Sequence, residues 1–425
     1  MLLFRRYRMR ARFGWLILLL SLAPLVASTQ EEFTNMPDTR AAEAIDLMLG
    51  FARRTGLDSG RPPRRYLWTD AFAMCNFLGL ALETGEKRYK ELALRLVDQL
   101  HQTLGRHRDD DPRSGWISGL SEREGEAHPT RGGLRIGKSL PERGVDDLFD
   151  ERLEWERDGQ YFHYLTKWMH ALDQVSRATE APRFNTWARE LAATAHDAFT
   201  YLPSAGRAPR MYWKMSIDLT RPLVPSMGQH DPLDGYVTAM QLRATAAGLP
   251  PPAGGPDLED ATRRFAAMIE EGGWASSDPL GIGGLLVDAY RVAQLKRQGG
   301  LSDKRLLERL LTAALSGLQY YAGSGELRAP AEYRLAFREL GLAIGLHAVE
   351  RMWQAAAASR AAASPEVYAL LQTLTRYTSL GNEIESFWRN PEHQRASTWS
   401  EHRDINEVML ATSLVPKGFL VIGRE

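Results

Sequence analysis

Leu340–Gly341–Leu342–Ala343–Ile344–Gly345–Leu346 is apolar on every side of a helix, and so is Gly281–Ile282–Gly283–Gly284–Leu285–Leu286. A helix with one wet face keeps a polar stripe; one without is surrounded by protein. The helices that intervene between such crowded ones in the sequence are different. Glu86, Lys87, Arg88, Lys90 and Glu91 in one, and Asp303, Lys304, Arg305 and Glu308 in another, leave a charged face for solvent. Crowded helices thus alternate with one-sided ones.

The alternation runs along most of the chain. Apolar periodicity predicts helices over 40–56, 66–84, 86–105, 158–178, 183–200, 232–248, 257–271, 281–298, 302–322, 332–358, 364–389 and 404–415. Every second one, beginning at 66, 158, 232, 281, 332 and 404, is the more apolar or glycine-rich. Helices buried all round inside helices with one wet face describe two concentric rings, so the expected class is all-α. Two stretches interrupt the pattern, 106–157 and 201–230, the second with a short strand pair over Arg210–Ile217. Irregular segments of this length inside a domain tend to be functional, and both are expected at the ring mouth.

The pattern resembles the six-hairpin glycosidase-like superfamily, the (α/α)6 toroid. The resemblance rests on helix count and alternation, with local phrasing such as Tyr66–Leu67–Trp68–Thr69–Asp70–Ala71–Phe72. It implies a carbohydrate-active protein built as six helical hairpins. Families of unlike chemistry share the ring, so no catalytic residue is carried over from it.

Bulk composition narrows the partners. Lys plus Arg and Asp plus Glu are 53 each, which removes a global electrostatic case for nucleic acid. Cys75 is the lone cysteine, within an apolar run, so neither an intramolecular disulfide nor a cysteine-based zinc site is available. Arg5, Arg6, Arg8, Arg10 and Arg12 precede an apolar run from Trp15 to Ala27. That fits an export signal over 1–28, or an uncleaved anchor in contact with the membrane. Either reading places residues 29–425, a single toroid domain, in the periplasm, outside the cell, or on the outer side of the inner membrane.

In such a ring the inner-helix N-termini open on one end, with their free N–H groups and partial positive charge. The residues there are Trp68 and Asp70; Asp158, Gln160 and His163; His230, Asp231 and Asp234; Asp278; Arg334; and His402 and Asp404. His163, Lys167, His170 and Gln174 continue inward on one face at helical spacing. Each acid alone reads first as a helix cap; as a set they point to a pocket.

Glycoside hydrolysis needs two carboxyl groups flanking the bond. Asp70, Asp158, Asp231, Asp234 and Asp404 are the candidates, with His163 beside them; Asp70, between Trp68 and Phe72, is the first choice for an acid of raised pKa. Trp68, Tyr161, Lys167, His230, Arg334, His402 and Trp213 are expected to bind the saccharide. No cofactor or metal is expected. The alternatives are a glycan-binding or scaffold toroid without paired acids, and a sugar epimerase using histidines such as His163, His230, His347 and His402. Arg131, Arg135 and Lys138, should their loop fold over the mouth, would suit an anionic sugar. Asp146–Asp147–Leu148–Phe149–Asp150 matches the Asp-Asp-x-x-Asp pattern of class I terpene synthases, but no second metal motif follows. It reads instead as an acidic rim paired with Arg143, Arg152 and Arg157.

Overall fold

The computed structural model describes residues 39–204, 208–249, 254–270, 272–301, 303, 305–359 and 363–423. The export or anchor segment lies outside them. Among the described residues no helix is long and apolar enough to cross a membrane.

Six helices, Leu67–Thr84, Phe162–Thr179, Asp231–Ala247, Pro279–Arg297, Ala336–Ala358 and Arg403–Leu414, each pack against the next, and the last returns to the first. Thr39–Arg54, Lys87–Leu104, Pro182–Phe199, Glu259–Met268 and Leu306–Ser324 pack outside them; Pro365–Leu374 and Ser379–Arg389 share the sixth outer place. This is the all-α (α/α)6 double ring.

Burial explains the order. Every residue from Leu67 to Leu80 is buried, whereas the neighbouring outer helix buries Tyr89, Leu92, Ala93, Leu96, Val97, Leu100, His101 and Leu104, a single stripe. The glycines of the two crowded helices meet face to face. A Cβ on Gly283 would lie 2.1 Å from the Gly341 carbonyl oxygen, and one on Gly345 would lie 2.7 Å from Gly283 Cα. Only hydrogen fits there, so the glycine spacing sets how closely these inner helices approach.

Some boundaries differ from expectation. The second inner helix begins at Phe162, not 158, because Gln160–Tyr161 pairs antiparallel with Lys214–Met215. Pro222–Val224 extends that sheet, and Arg210–Met211 pairs with Thr200–Tyr201 instead of with its own neighbour. The fifth inner helix starts at Ala336, after a 3-10 turn over Ala331–Tyr333. The two irregular segments brace each other: Lys214 Nζ lies 2.9 Å from Glu154 Oε1, and Arg113 Nη1 lies 2.6 Å from Asp218 Oδ2. The acidic rim is paired as expected at Arg157–Asp147 and Arg143–Glu154, while Asp150 caps the short helix Glu151–Glu156.

Candidate active site

A cavity of about 400 Å³ occupies the ring centre. His163, Lys167 and His170 enter it from successive turns of the second inner helix, which places the predicted polar stripe inside the ring. Asp231 and Asp234 come from the first turn of the third inner helix, three residues apart and therefore on one face. Asp288 and Arg291 repeat that spacing on the fourth. Trp68 and Phe72 form another wall, and Trp213, Gly228, Gln229 and His230 come from the second irregular segment.

Asp234 is tied on all sides. It accepts from Lys167 Nζ at 2.6 Å, Thr166 Oγ1 at 2.5 Å and Arg291 Nη1 at 3.3 Å. Burial pushes its pKa up, but Lys167 and Arg291 outweigh that and hold it below the ordinary carboxylate range. The same Arg291 Nη1 lies 2.9 Å from Asp288 Oδ1. Burial and the charge of Asp234 nevertheless raise Asp288 to about 6, against Arg291 and Lys167.

Asp231 is the exception. Its residue is 5% exposed, and Oδ2 is buried without a hydrogen-bond partner. Gly228 lies so close that a Cβ there would come within 2.4 Å of that oxygen. Burial, then the charge of Asp234, lifts Asp231 to about 7, with Lys167 opposing. His163 Nδ1 stands 3.8 Å from Asp231 Oδ1 and is likewise unpartnered. Burial and Lys167 lower His163 to about 3, so the ring is neutral around pH 7. Its ring lies nearly parallel to Trp213, centroids 6.0 Å apart, and edge-on to Trp68 at 6.2 Å. His230 holds its Nε2 2.7 Å from the Trp274 carbonyl, and burial lowers its pKa.

The cavity therefore presents a carboxyl group that keeps its proton near neutrality, a second that titrates near 6, and a neutral imidazole with a free ring nitrogen. That set can give a proton to one atom and take one from another. Among the described residues no group of three or more His, Cys, Asp or Glu is arranged to hold a metal ion.

Asp231, Asp234, Asp278, His163, Lys167, His170, His230, Trp68 and Trp213 of the expected residues line the cavity. The others do not reach it. Asp70 turns back to Tyr66 N at 2.9 Å and to Arg65 at 3.3 Å. Asp158 is enclosed by Arg135 at 2.7 Å, Arg108 at 3.3 Å and the N–H groups of Gly137 and Gly159, both at 3.0 Å. Asp404 pairs with Arg54 and Arg64. Tyr161 is buried behind Trp213, ring centroids 5.2 Å apart. Arg334 forks onto Glu339 and covers the Phe387 ring. His402 lies edge-on to Phe337, and His347 sits between Glu350 and Glu385. The loop cations are engaged elsewhere too, Arg131 with Glu190, Arg135 with Asp158 and Lys138 over the Tyr66 ring, so they build no anionic clamp in the cavity.

Asp288, Arg291 and Phe419 line the cavity but were not singled out from sequence. The first two carried a usable signal: charges three residues apart within a glycine-rich helix crowded on all sides.

No family description matches the chain, and no curated protein matches it in sequence. Among solved structures, a GH76 alpha-mannanase of Bacteroides thetaiotaomicron is similar at 11% identity, covering 89% of this chain and 95% of that one, with a TM-score of 0.48. A D-mannose isomerase is similar at 13% identity over 83% of this chain and 88% of that one, with a TM-score of 0.46. At this similarity neither protein's substrate passes to the present chain; its ring is read from its own helix packing.

Proposed function

We propose that this chain is a carbohydrate-active enzyme, foremost a glycoside hydrolase, that binds a saccharide in the ring cavity and uses Asp231 as general acid. The observation that carries the reading is the buried, unpartnered Oδ2 of Asp231, its pKa lifted to about 7 by burial beside the ionised Asp234. In hydrolysis the Asp231 carboxyl gives its proton to the glycosidic oxygen as the C–O bond breaks. Asp288, ionised above about pH 6, takes a proton from the attacking water or itself bonds the anomeric carbon, according to the carboxyl separation. Trp68 and Trp213 supply flat apolar faces for the sugar ring. With Asp231 protonated, Asp234, Asp278 and Asp288 still outnumber the cations Lys167 and Arg291, which favours a neutral sugar over an anionic one.

A second reading has its own observation. His163 and His230 both line the cavity from adjacent inner helix starts, and a free imidazole nitrogen suits proton transfer beside a sugar carbonyl. The basic and apolar N-terminal run adds that the enzyme works outside the cytoplasm, which cell fractionation tests.

Purified protein incubated with neutral oligosaccharides and free aldoses separates the readings. Hydrolysis releases new reducing ends; isomerisation converts one free sugar to another with no change in chain number. Turnover that survives Asp231→Asn unchanged removes Asp231 from either chemistry.

A further inference from the structure

The cavity is closed at one end by the stretch 417–423. Phe419 reaches in from the short helix Lys417–Leu420, its ring stacked on Phe72 with centroids 4.5 Å apart. Two inner helices clamp this strap. Gln174 Nε2 donates to the carbonyls of Gly418 and Val421 at 2.9 and 2.8 Å. Gln294 donates to the Leu420 carbonyl at 3.0 Å and accepts from Ile422 N at 2.8 Å. His170 Nε2 lies 2.9 Å from the Phe419 carbonyl, and a Cβ on Gly418 would lie 2.2 Å from the Cys75 carbonyl.

The closure is only one layer of chain thick. Phe419 faces the cavity, while Lys417, Gly418, Val421 and Gly423 line a separate cleft with Gln174, Arg177 and Thr245. Without the strap the central cavity would run toward that cleft as a channel.

We infer that the C-terminal strap makes the ring a blind socket, with Phe419 as its floor, so that the site takes a single sugar or the end of a chain and not its interior. This rests on the saccharide reading above and names the substrate class within it. Asp231 is 5% exposed, so a reacting bond must enter the cavity to meet it. A socket closed at one end admits a polymer only end first. Its volume of about 400 Å³ is near the lower bound of small-molecule sites, about 300–1,000 Å³, which leaves room for one or two rings.

The test is calorimetric binding of gluco- and manno-oligosaccharide ladders, from one sugar unit to six, to full-length Asp231→Asn protein, which holds substrate without turning it over. Affinity is expected to rise to the second unit and then stay within about threefold, because further units remain in solvent. Phe419→Ala deepens the floor and is expected to bind the trisaccharide about fivefold better relative to the disaccharide. Phe419→Leu, a smaller loss of volume, gives the same trend should the alanine variant not fold. Wild-type enzyme is expected to shorten a six-unit chain stepwise from one end. Affinity that climbs tenfold or more between three and six units, products of mid-chain cleavage, or folded Phe419 variants with the wild-type ladder each overturn the blind socket and leave the saccharide reading standing. If no ladder member binds, the saccharide reading falls and this inference with it.

Discussion

Asp158 and Asp231 stand just ahead of, and at the start of, adjacent inner helices, and both are buried. Their surroundings are opposite. Asp158 receives two guanidinium groups and two backbone N–H donors; Asp231 has a free oxygen and an unbonded imidazole 3.8 Å away. Burial is common to both, so burial does not distinguish a working carboxyl from a structural one. The accounting of partners does: a saturated carboxylate has nothing left to offer a ligand, while an orphaned one is costly to the fold and open to chemistry.

The largest effect expected from that contrast is at Asp231. Asp231→Asn should lower kcat/KM by about 10²–10⁴, the usual worth of a positioned general acid. The same change should stabilise the fold near neutral pH. The folded pKa of about 7 lies above the ordinary 3.8, so the folded protein binds more protons between those values and loses stability as pH rises through them. Asparagine removes that loss, a gain on the order of 2–4 kcal/mol above pH 7 and none below about pH 4, read by denaturant titration at both pH values. An inactive and more stable variant is the signature of a group kept for function. Asp158→Asn should do the reverse, losing about 3–5 kcal/mol because the buried Arg135 is left without its countercharge while Arg108 keeps only Asp110, with kcat/KM of the folded fraction little changed.

The ring was legible in the sequence, for a physical reason. Inner and outer helices differ in how much of their circumference is wet, and composition records that directly: Leu67–Leu80 without a polar face, Lys87–Leu104 with one. The stripe His163–Lys167–His170 was legible for the same reason, since helical period fixes a face. The sorting of the acids was not. Asp158 is neutralised from Arg108, fifty positions upstream, and Asp234 from Arg291, fifty-seven downstream, and no local pattern announces a partner at that range. Nor does Pro416–Ile422 read as a cavity floor, because its role depends on Gln174 and Gln294 in distant helices.

The contrast sharpens into a pH profile. With Asp288 near 6 and Asp231 near 7, the hydrolytic form, base ionised and acid protonated, is most populated between those values. Activity should be bell-shaped, rising through about pH 6 and falling through about pH 7. Asp234→Asn should lower the acid limb, because the charge of Asp234 also raises Asp288, and it should move the alkaline limb. It deletes the negative charge that raises Asp231 and leaves Lys167 to lower it, so both changes act in one direction. The alkaline limb is expected to shift acidward by about one pH unit, measured in kcat/KM. A fixed alkaline limb would mean that Asp231 is not the group titrating there.

The smallest effect, and the sharpest check on partner accounting, belongs to Asp70. It is as buried as Asp231, and burial raises its pKa to about 6, so by burial and pKa alone it resembles a working acid. Its oxygens are nevertheless occupied, one by Tyr66 N–H at the start of its own helix and the other beside the enclosed Arg65. In Asp70→Asn the amide oxygen still accepts from Tyr66 N, while Arg65 loses a countercharge but keeps the Thr55 carbonyl 2.6 Å away. The two changes oppose each other, because removing a buried charge also removes its desolvation cost. The expected outcome is a stability change of about 1 kcal/mol and a kcat/KM within about twofold of wild type. A hundredfold loss with the fold intact would place an ion-paired, capping carboxyl in the chemistry, and the distinction drawn between Asp158 and Asp231 would fail with it.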